Sequence, residues 1–234
     1  MALALVLLLL LSVVVAFRIY VAFTPRQRSA PKARPAETCG LAVFLGSGGH
    51  TSEALSLLHS LDFSRYTPRT YFVGVGDPLS VQKVTALELL KTGTLPESTV
   101  TNPAAQHRVL TIPRARRVHQ NLLTTPFSAL YSLLVSAYHV TVAPFLCRSR
   151  GPATRFDVLL LNGPGTCFVL CLAVLLNRVL GLPSPRVIYV ESFARVKSLS
   201  LTGKLIRPFV DSFVVQWPDL LDDGRRGSCY GWLV

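Results

Sequence analysis

The first residues of chemical interest are the stretch GSGGHT at positions 46–51, which follows a short apolar run and precedes a helical pattern. Glycine lets the backbone turn tightly and approach a ligand closely. At the start of a helix, such a loop exposes backbone N–H groups at the positive end of the helix dipole, where proteins bind anions. We therefore predict an anion-binding loop; the alternative is a tight turn without a ligand. Its residues are Gly46, Ser47, Gly48, Gly49 and Thr51.

Two side chains are candidates for the catalytic base. His50 ends the glycine loop, and an imidazole titrates close enough to neutral pH to accept a proton from a sugar hydroxyl. Glu191 follows another apolar run and could either act as a base or hold a sugar hydroxyl. The alternatives are a histidine that caps or packs and an ordinary acid at a helix start. Both candidates stay open at this level.

Two further loops follow apolar runs. The stretch NGPGT at 162–166 is a second glycine turn, which favours ligand binding over two unrelated tight turns. Its predicted binding residues are Asn162, Gly163, Gly165 and Thr166. In the basic stretch at 113–117, Arg114 and Arg116 could neutralise a pyrophosphate. Their alternative role is a solvated basic face near a membrane.

Several classes of site are disfavoured. The GSGGHT loop lacks the third glycine of the dinucleotide fingerprint, and no GKS or GKT follows it as in a P-loop. The five cysteines include no CxxC pair, so we predict neither a disulfide framework nor a metal site, and no cofactor. The net charge of +12 suits an anionic partner. No basic stripe is interleaved with aromatics, so nucleic acid is not predicted.

The elements that position these residues form an α/β domain. From residue 39 onward, continuous apolar runs alternate with helical patterns, which indicates a doubly wound parallel sheet covered on both faces. Ligands of such sheets bind beyond the carboxyl ends of the strands, where the loops above fall. The predicted strands are 41–45, 70–75, 108–112, 157–161, 186–190 and 212–216. The predicted helices are 51–61, 79–91, 126–143, 165–180 and 199–208.

The N-terminal segment predicts a membrane anchor. As a helix, residues 2–23 would be about 33 Å long, enough for a hydrocarbon core of about 30 Å. No positive charge precedes the apolar run, as a cleaved signal peptide would require. The basic residues follow it, so the body at 39–234 is expected in the cytosol. Residues 24–38 read as a basic, proline-rich linker, and residues 126–147 as an amphipathic or monotopic helix.

Four segments carry a family resemblance. In order, they are GSGGHTSEAL, IPRARRVHQ, LLLNGPGTC and VIYVESFARVKSLSLTGKL…VDSFVVQWP. They resemble the membrane-anchored subunits of the two-subunit N-acetylglucosaminyltransferases that add the second sugar to the dolichol-linked oligosaccharide. The resemblance covers about residues 41–220 and includes the anchor. The last segment is specific, whereas the bacterial lipid II glycosyltransferase has a glycine loop similar to the first.

The resemblance implies a fold and a reaction. The fold would be the N-terminal, acceptor-side half of a GT-B glycosyltransferase. A soluble partner subunit would supply most of the UDP-N-acetylglucosamine site, so the chain would be inactive alone. The acceptor would be dolichyl-diphosphate-N-acetylglucosamine at the cytosolic face of the endoplasmic reticulum membrane, and the β1,4 transfer would be inverting and metal-free. The alternatives are a non-catalytic recruiter of the soluble subunit and, disfavoured by the broken fingerprint, a membrane-bound nucleotide-dependent reductase.

The same resemblance suggests roles for residues. His50 would be the base for the acceptor 4-hydroxyl, the glycine loop would cradle the acceptor diphosphate or face the donor, and residues 162–166 with Glu191 would line the cleft. Two departures are a long insert at 92–106 and Arg117, where the family often has an acid. The apolar C-terminus is predicted to contact the partner subunit; the alternative is a last strand or tail packed on this domain. Its residues are Trp232, Leu233 and Val234.

Overall fold

A computed structural model describes residues 2–23, 38–93, 107–116, 120–121, 123–146 and 156–234. Arg117 lies outside these ranges, as do the predicted linker and the 92–106 insert except for their terminal residues.

In the described part of the chain, seven strands form one parallel sheet in the order β3-β2-β1-β4-β5-β6-β7. The six predicted strands are confirmed to within one residue at each end, because strands buried on both faces are continuous apolar runs. The seventh is a short strand near the C-terminus. The strands are β1 (Leu41–Leu45), β2 (Arg69–Gly74), β3 (His107–Ile112), β4 (Val158–Leu161), β5 (Arg186–Val190), β6 (Ser212–Val215) and β7 (Ser228–Cys229).

Helices cover both faces of the sheet, as the doubly wound prediction requires. The predicted helix at 126–143 is observed as α4, which continues through a π-helical turn at Tyr138–Val142 into α5. The last predicted helix, at 199–208, is shorter than expected. The helices are α1 (Ala2–Phe23), α2 (Gly48–His59), α3 (Pro78–Thr92), α4 (Thr125–Ala137), α5 (Ala143–Leu146), α6 (Thr166–Leu180) and α7 (Leu201–Ile206).

The alternation of side chains along β1 builds two separate cores. Val43 faces the helices α2 and α3, where Leu58 and Val84 are fully buried. Phe44 points to the opposite face, where Leu170 of α6 is fully buried. Because successive side chains of a strand point to opposite faces, one apolar strand anchors both helix layers.

The strand order creates a crevice between β1 and β4. The chain runs outward from β1 through β2 to β3, and then returns to place β4 on the other side of β1. The connections that leave β1 and β4 therefore diverge, and such a switch point is where ligands bind in open α/β sheets. Both predicted glycine loops lie at this point.

The N-terminal helix α1 packs against α6, with the Arg18 guanidinium close to Gly181 just beyond the end of α6. Within the described ranges, no helix meets the length and apolarity needed to cross a membrane. The transmembrane anchor assigned to residues 1–23 stays a prediction.

Candidate functional site

A cleft of about 550 Å³ lies beyond the carboxyl ends of β1, β4 and β5. Its walls are the first turns of α2, the loop after β4 and the segment from Glu191 to Thr202. Five of the predicted site residues line it, and they are Gly49, His50, Gly163, Gly165 and Glu191. The two glycine loops and the end of β5 are thus brought together at one site, as the sequence predicts.

The first glycine loop opens the start of α2 toward solvent. Ser47 and Gly48 adopt positive φ angles of 65° and 56°, and Ser47 caps the helix without a side-chain hydrogen bond. Because the first-turn N–H groups of a helix have no intrahelical acceptor, they are available to an anion. Gly48 and Gly49 are exposed, whereas Gly46 is buried and a Cβ there would lie 2.9 Å from the Cβ of His50.

His50 belongs to a hydrogen-bonded network of polar side chains from three parts of the fold. Its Nδ1 lies 3.2 Å from Oδ1 of Asn162, the residue that follows β4. The Asn162 Nδ2 donates to Oε2 of Glu53 at 2.9 Å and to the Val190 carbonyl at 3.3 Å. The Ser192 hydroxyl donates to Oε1 of Glu53 at 2.8 Å. Asn162 is only 1% exposed, so this network connects α2 to the ends of β4 and β5 beneath the cleft.

Gly163 lies close to the imidazole. Its φ angle is +118°, and a Cβ on it would lie 3.0 Å from Cγ of His50. A side chain at this position would therefore strain the backbone and push the ring out of place. The glycine is required both for the turn and for the position of His50.

Glu191 is a structural part of the cleft wall. It is 1% exposed, and its Oε2 accepts hydrogen bonds from the Ser200 amide at 3.1 Å and the Ser200 hydroxyl at 3.0 Å. Its Oε1 accepts from the Ser192 amide at 3.2 Å. Both carboxylate oxygens are thus occupied by donors of the cleft wall itself. The geometry therefore favours His50 over Glu191 as the base.

Tyr189 lies beneath this wall. Burial, followed by the negative charge of Glu191, raises the pKa of the Tyr189 hydroxyl well above its usual range. The hydroxyl is therefore neutral, and it lies 3.4 Å from the Gly163 carbonyl and from the Ser200 hydroxyl. Its ring stacks on Phe213 with centroids 5.5 Å apart. These contacts hold the second glycine loop and the segment after β5 together.

Eight predicted binding residues lie outside the cleft lining, and four of them contact other elements instead. The hydroxyl of Thr51 is buried and bonds to Ser80 of α3 at 2.7 Å, and that of Thr166 accepts from the Ala115 amide at 3.2 Å. Both hydroxyls join elements to each other instead of facing a ligand. Arg114 packs on Gly74 at the end of β2, and Arg116 donates to the Gln120 carbonyl at 3.3 Å. They are displaced because β3 lies two strands, about 10 Å, from β1.

Two charged residues of the cleft were not predicted as members of the site. Glu53 lies one turn after His50, a spacing that puts both side chains on one helix face. Arg195 brings a positive charge to the cleft wall from the segment after β5. Its position shortly after an apolar strand was a usable signal. Arg195 shares the cleft lining with residues of both glycine loops, whereas the arginines after β3 do not. Among the described residues, no group of three or more metal-ligating side chains is placed to hold a metal ion.

The C-terminal residues pack on this domain but remain exposed. The Trp232 ring lies 5.6 Å from Trp217 and 5.9 Å from Phe193, centroid to centroid. The Leu233 amide donates to Oε1 of Gln216 at 3.1 Å. Trp232 is nevertheless 70% exposed. The tail is therefore ordered on its own domain and still offers an aromatic surface to another chain.

Comparison with known proteins identifies the family. Residues 41–233 match the model of the family described as "Oligosaccharide biosynthesis protein Alg14 like". The chain is 49% identical over 199 residues to a UDP-N-acetylglucosamine transferase subunit ALG14 of Cryptococcus neoformans, covering 85% of this chain and 83% of that one. It is 36% identical to the human protein of that name over 200 residues, covering 86% and 85%.

Among solved structures, the chain is similar to Acinetobacter baumannii MurG, with a TM-score of 0.47 and 14% identity over 82% of this chain and 45% of that one. The sequence relatives confirm the family resemblance of the four segments. The chain belongs to the Alg14-like family of oligosaccharide biosynthesis proteins.

Proposed function

We propose that this chain is the acceptor-side subunit of a two-subunit UDP-N-acetylglucosamine transferase. In this proposal it adds the second N-acetylglucosamine, in β1,4 linkage, to dolichyl-diphosphate-N-acetylglucosamine. The observation that carries the proposal is the placement of His50 at the start of α2, with Nδ1 bound to Asn162, at the edge of a cleft between two glycine loops. Relatives named as subunits of such a transferase support the donor and the reaction class.

A partner subunit is part of the proposal because this chain offers one lobe. The described fold is one parallel sheet with a cleft at one edge. In a GT-B enzyme, two such lobes face each other across the nucleotide-sugar site. A soluble subunit would supply the second lobe and most of the UDP-N-acetylglucosamine contacts. Exposed Trp232, together with Leu233 and Val234, is the proposed contact for it.

The proposed chemistry is a single displacement. The oxygen of the acceptor 4-hydroxyl bonds to the anomeric carbon of the donor sugar, and its proton passes to Nε2 of His50. The bond from the anomeric carbon to UDP breaks, and UDP leaves with the electron pair. The attack and departure on opposite faces invert the anomeric centre. The open N–H groups at the start of α2 and the Arg195 guanidinium are suited to the diphosphate charge.

A lipid-linked acceptor requires a position at the membrane, and the proposed location is the cytosolic face of the endoplasmic reticulum. Helix α4 exposes a row of large apolar side chains, with Phe127 77% exposed and Leu130, Tyr131 and Leu134 each more than half exposed. Helices α1 and α4 both pack on α6, so they lie on one side of the sheet. An apolar surface of this extent supports contact with lipid, as does the basic charge of the chain.

The second candidate function is a non-catalytic recruiter, which would bind the soluble subunit and present the lipid without supplying reacting groups. The exposed tail is compatible with either role. The position of His50 favours the catalytic one, because a recruiter has no need for an oriented imidazole in the cleft.

Reconstitution tests the proposal. Membranes carrying this chain, the soluble partner alone and the two together would each receive UDP-N-acetylglucosamine and a dolichyl-diphosphate-N-acetylglucosamine analogue. Product with both subunits and with neither alone is expected, and mass and linkage analysis should identify a β1,4-linked disaccharide. Absence of product from a complex that co-purifies intact would contradict the proposed substrate.

A further inference from the structure

We propose that Glu53 is a positioning residue that acts on His50 through Asn162. By holding the Asn162 amide in one orientation, Glu53 keeps the His50 proton on Nδ1 and leaves Nε2 as the proton acceptor in the cleft. This inference rests on the proposed function for its catalytic meaning, but the orientation itself follows from the hydrogen bonds of the described residues.

The first step is the orientation of the Asn162 amide. Its Nδ2 lies 2.9 Å from Oε2 of Glu53 and 3.3 Å from the Val190 carbonyl. A carboxylate and a carbonyl oxygen are acceptors only, so the group that faces them has to be the NH₂. A flipped amide would place its own oxygen against two other oxygens in a site where Asn162 is 1% exposed. The hydrogen-bond network therefore fixes the orientation of the amide.

The second step is the consequence for His50. With the NH₂ directed at Glu53, the Asn162 oxygen faces Nδ1 of His50 at 3.2 Å. An amide oxygen only accepts, so Nδ1 has to carry a proton and donate. In neutral imidazole the other nitrogen is then unprotonated. No hydrogen-bond partner for Nε2 is found among the described residues, and His50 lines the cleft. Nε2 of His50 is therefore the free proton acceptor that the reaction requires.

The third step is what holds Glu53 itself. Its other oxygen, Oε1, accepts from the Ser192 hydroxyl at 2.8 Å, so both carboxylate oxygens are used. Without the carboxylate, the Asn162 amide keeps a single 3.3 Å bond and is free to turn its NH₂ toward His50. Nδ1 would then have to accept, and the proton would move to Nε2. The ring would present a donor to the cleft where the reaction needs an acceptor.

Two variants distinguish positioning from simple packing. In Glu53→Leu the carboxylate is lost while a side chain of similar bulk remains. In Glu53→Gln the amide oxygen still accepts from Asn162, and its NH₂ can donate to the Ser192 oxygen. Ser192→Ala is the matched control, because it removes the other tie of Glu53 without touching the Asn162 amide. Only Glu53→Leu is expected to change the tautomer of His50.

The measurement is a long-range ¹H–¹⁵N NMR spectrum of the full chain, labelled with ¹⁵N-histidine and held in lipid nanodiscs. The five histidines are assigned by loss of the His50 signals in His50→Gln. The wild type, Glu53→Gln and Ser192→Ala should each show the pattern of a proton on Nδ1. Glu53→Leu should show the Nε2-protonated pattern or a mixture. A wild-type His50 with its proton on Nε2 overturns the proposal and needs no variant at all. An unchanged tautomer in folded Glu53→Leu also overturns it.

Activity of the assembled complex then separates this inference from the proposed function. Glu53→Leu should lower kcat about 100-fold or more, the scale of one general base, with a KM for UDP-N-acetylglucosamine close to wild type and partial rescue in Glu53→Gln. If the tautomer depends on Glu53 but His50 variants transfer sugar normally, the positioning stands and the catalytic assignment fails. If sugar transfer requires His50 but its tautomer does not depend on Glu53, the catalytic assignment stands and the positioning role fails.

Discussion

Gly163 has to be glycine for two independent reasons, a φ angle of +118° and the distance of only 3.0 Å that would separate an added Cβ from Cγ of His50. Gly163→Ala should therefore lower the free energy of unfolding by about 1–3 kcal/mol, the usual cost of a strained backbone position, and displace the imidazole. Gly165→Ala is the control, because its φ angle is −52° and a Cβ there meets nothing within 4 Å.

Thermal denaturation of both variants checks this prediction. The Gly165 variant should stay within about 0.5 kcal/mol of the wild type. Equal losses in the two variants would contradict the account of Gly163.

The buried thiol of Cys171 makes the free energy of unfolding decrease as the pH rises into the alkaline range. Burial raises the pKa of its thiol from 9.0 to about 12. Above pH 9 the thiol of the unfolded chain ionises while that of the folded chain does not, so the unfolded state binds fewer protons. The stabilising contribution is therefore complete below pH 9 and is lost as the pH rises toward 12.

Denaturant unfolding between pH 8 and 11 tests this. Cys171→Ala should lose stability less steeply with pH than the wild type. Val174→Ala, a buried neighbour on the same helix, should be destabilised at every pH but keep the wild-type slope. The prediction is wrong if Cys171→Ala keeps that slope as well.

The contacts of single side chains were the hardest feature of this molecule to predict from the sequence. Positions 51 and 166 follow glycine loops, yet their hydroxyls bond to neighbouring elements, because sequence does not reveal which way a side chain turns at a helix start. Glu53 escaped prediction because its partner Asn162 is 109 residues away. The position of His50 in the cleft was predictable, since it ends a glycine loop that follows an apolar strand.

At the scale of elements, the strands were predictable and the ends of the helices were not. Fully buried strands require continuous apolar runs, and β1 is such a run. The start of α2 falls at Gly48, three residues before the predicted position, because Gly48 and Gly49 have low helix propensity and their pattern indicates a loop. The helix predicted at 126–143 includes a π-helical turn at Tyr138–Val142. This turn was not predicted, because its apolar pattern does not differ from that of an α-helix.

The short helix α7 links stability to the cleft wall. Ser200 caps it by accepting from the Gly203 amide at 2.8 Å and also donates to Glu191. Ser200→Ala should cost about 1 kcal/mol of stability, as for other N-caps, and should also weaken sugar transfer because the segment after β5 loses its attachment. Asp77→Ala removes the cap of α3, where Asp77 accepts from the Ser80 amide, at a similar cost.

Chemical denaturation and transfer assays on both cap variants separate the two effects. Comparable losses of stability are expected, with reduced transfer only in Ser200→Ala. Normal transfer by the folded Ser200 variant would show that the wall does not depend on this cap.

At the scale of the whole molecule, one doubly wound lobe with an exposed aromatic tail indicates an assembly. Trp232 keeps 70% of its surface exposed although it contacts two aromatic rings of its own domain. Buried tryptophans are frequent hot spots of protein interfaces. Trp232→Ala should therefore reduce co-purification of the soluble subunit at least about 10-fold. Tyr230→Ala, at a position 71% exposed on the same tail, should retain it.

Quantitative pull-down from detergent extracts measures this prediction. Equal binding by the two variants would place the interface elsewhere on the lobe. The doubly wound parallel sheet and the position of the cleft beyond the carboxyl ends of its strands were predictable from the pattern of elements. The choice between the two roles of the tail was not, because an apolar tail can serve either its own domain or a partner.

In the proposed reaction, this subunit supplies the proton acceptor. The most direct measurement is the single-turnover rate of sugar transfer by complexes that contain His50→Ala, with co-purification of the soluble subunit confirmed for the same samples. The account predicts a fall of about 10²–10⁴-fold, the usual contribution of a general base. A rate within a few-fold of the wild type in an intact complex would contradict it, and would leave the chain as a recruiter.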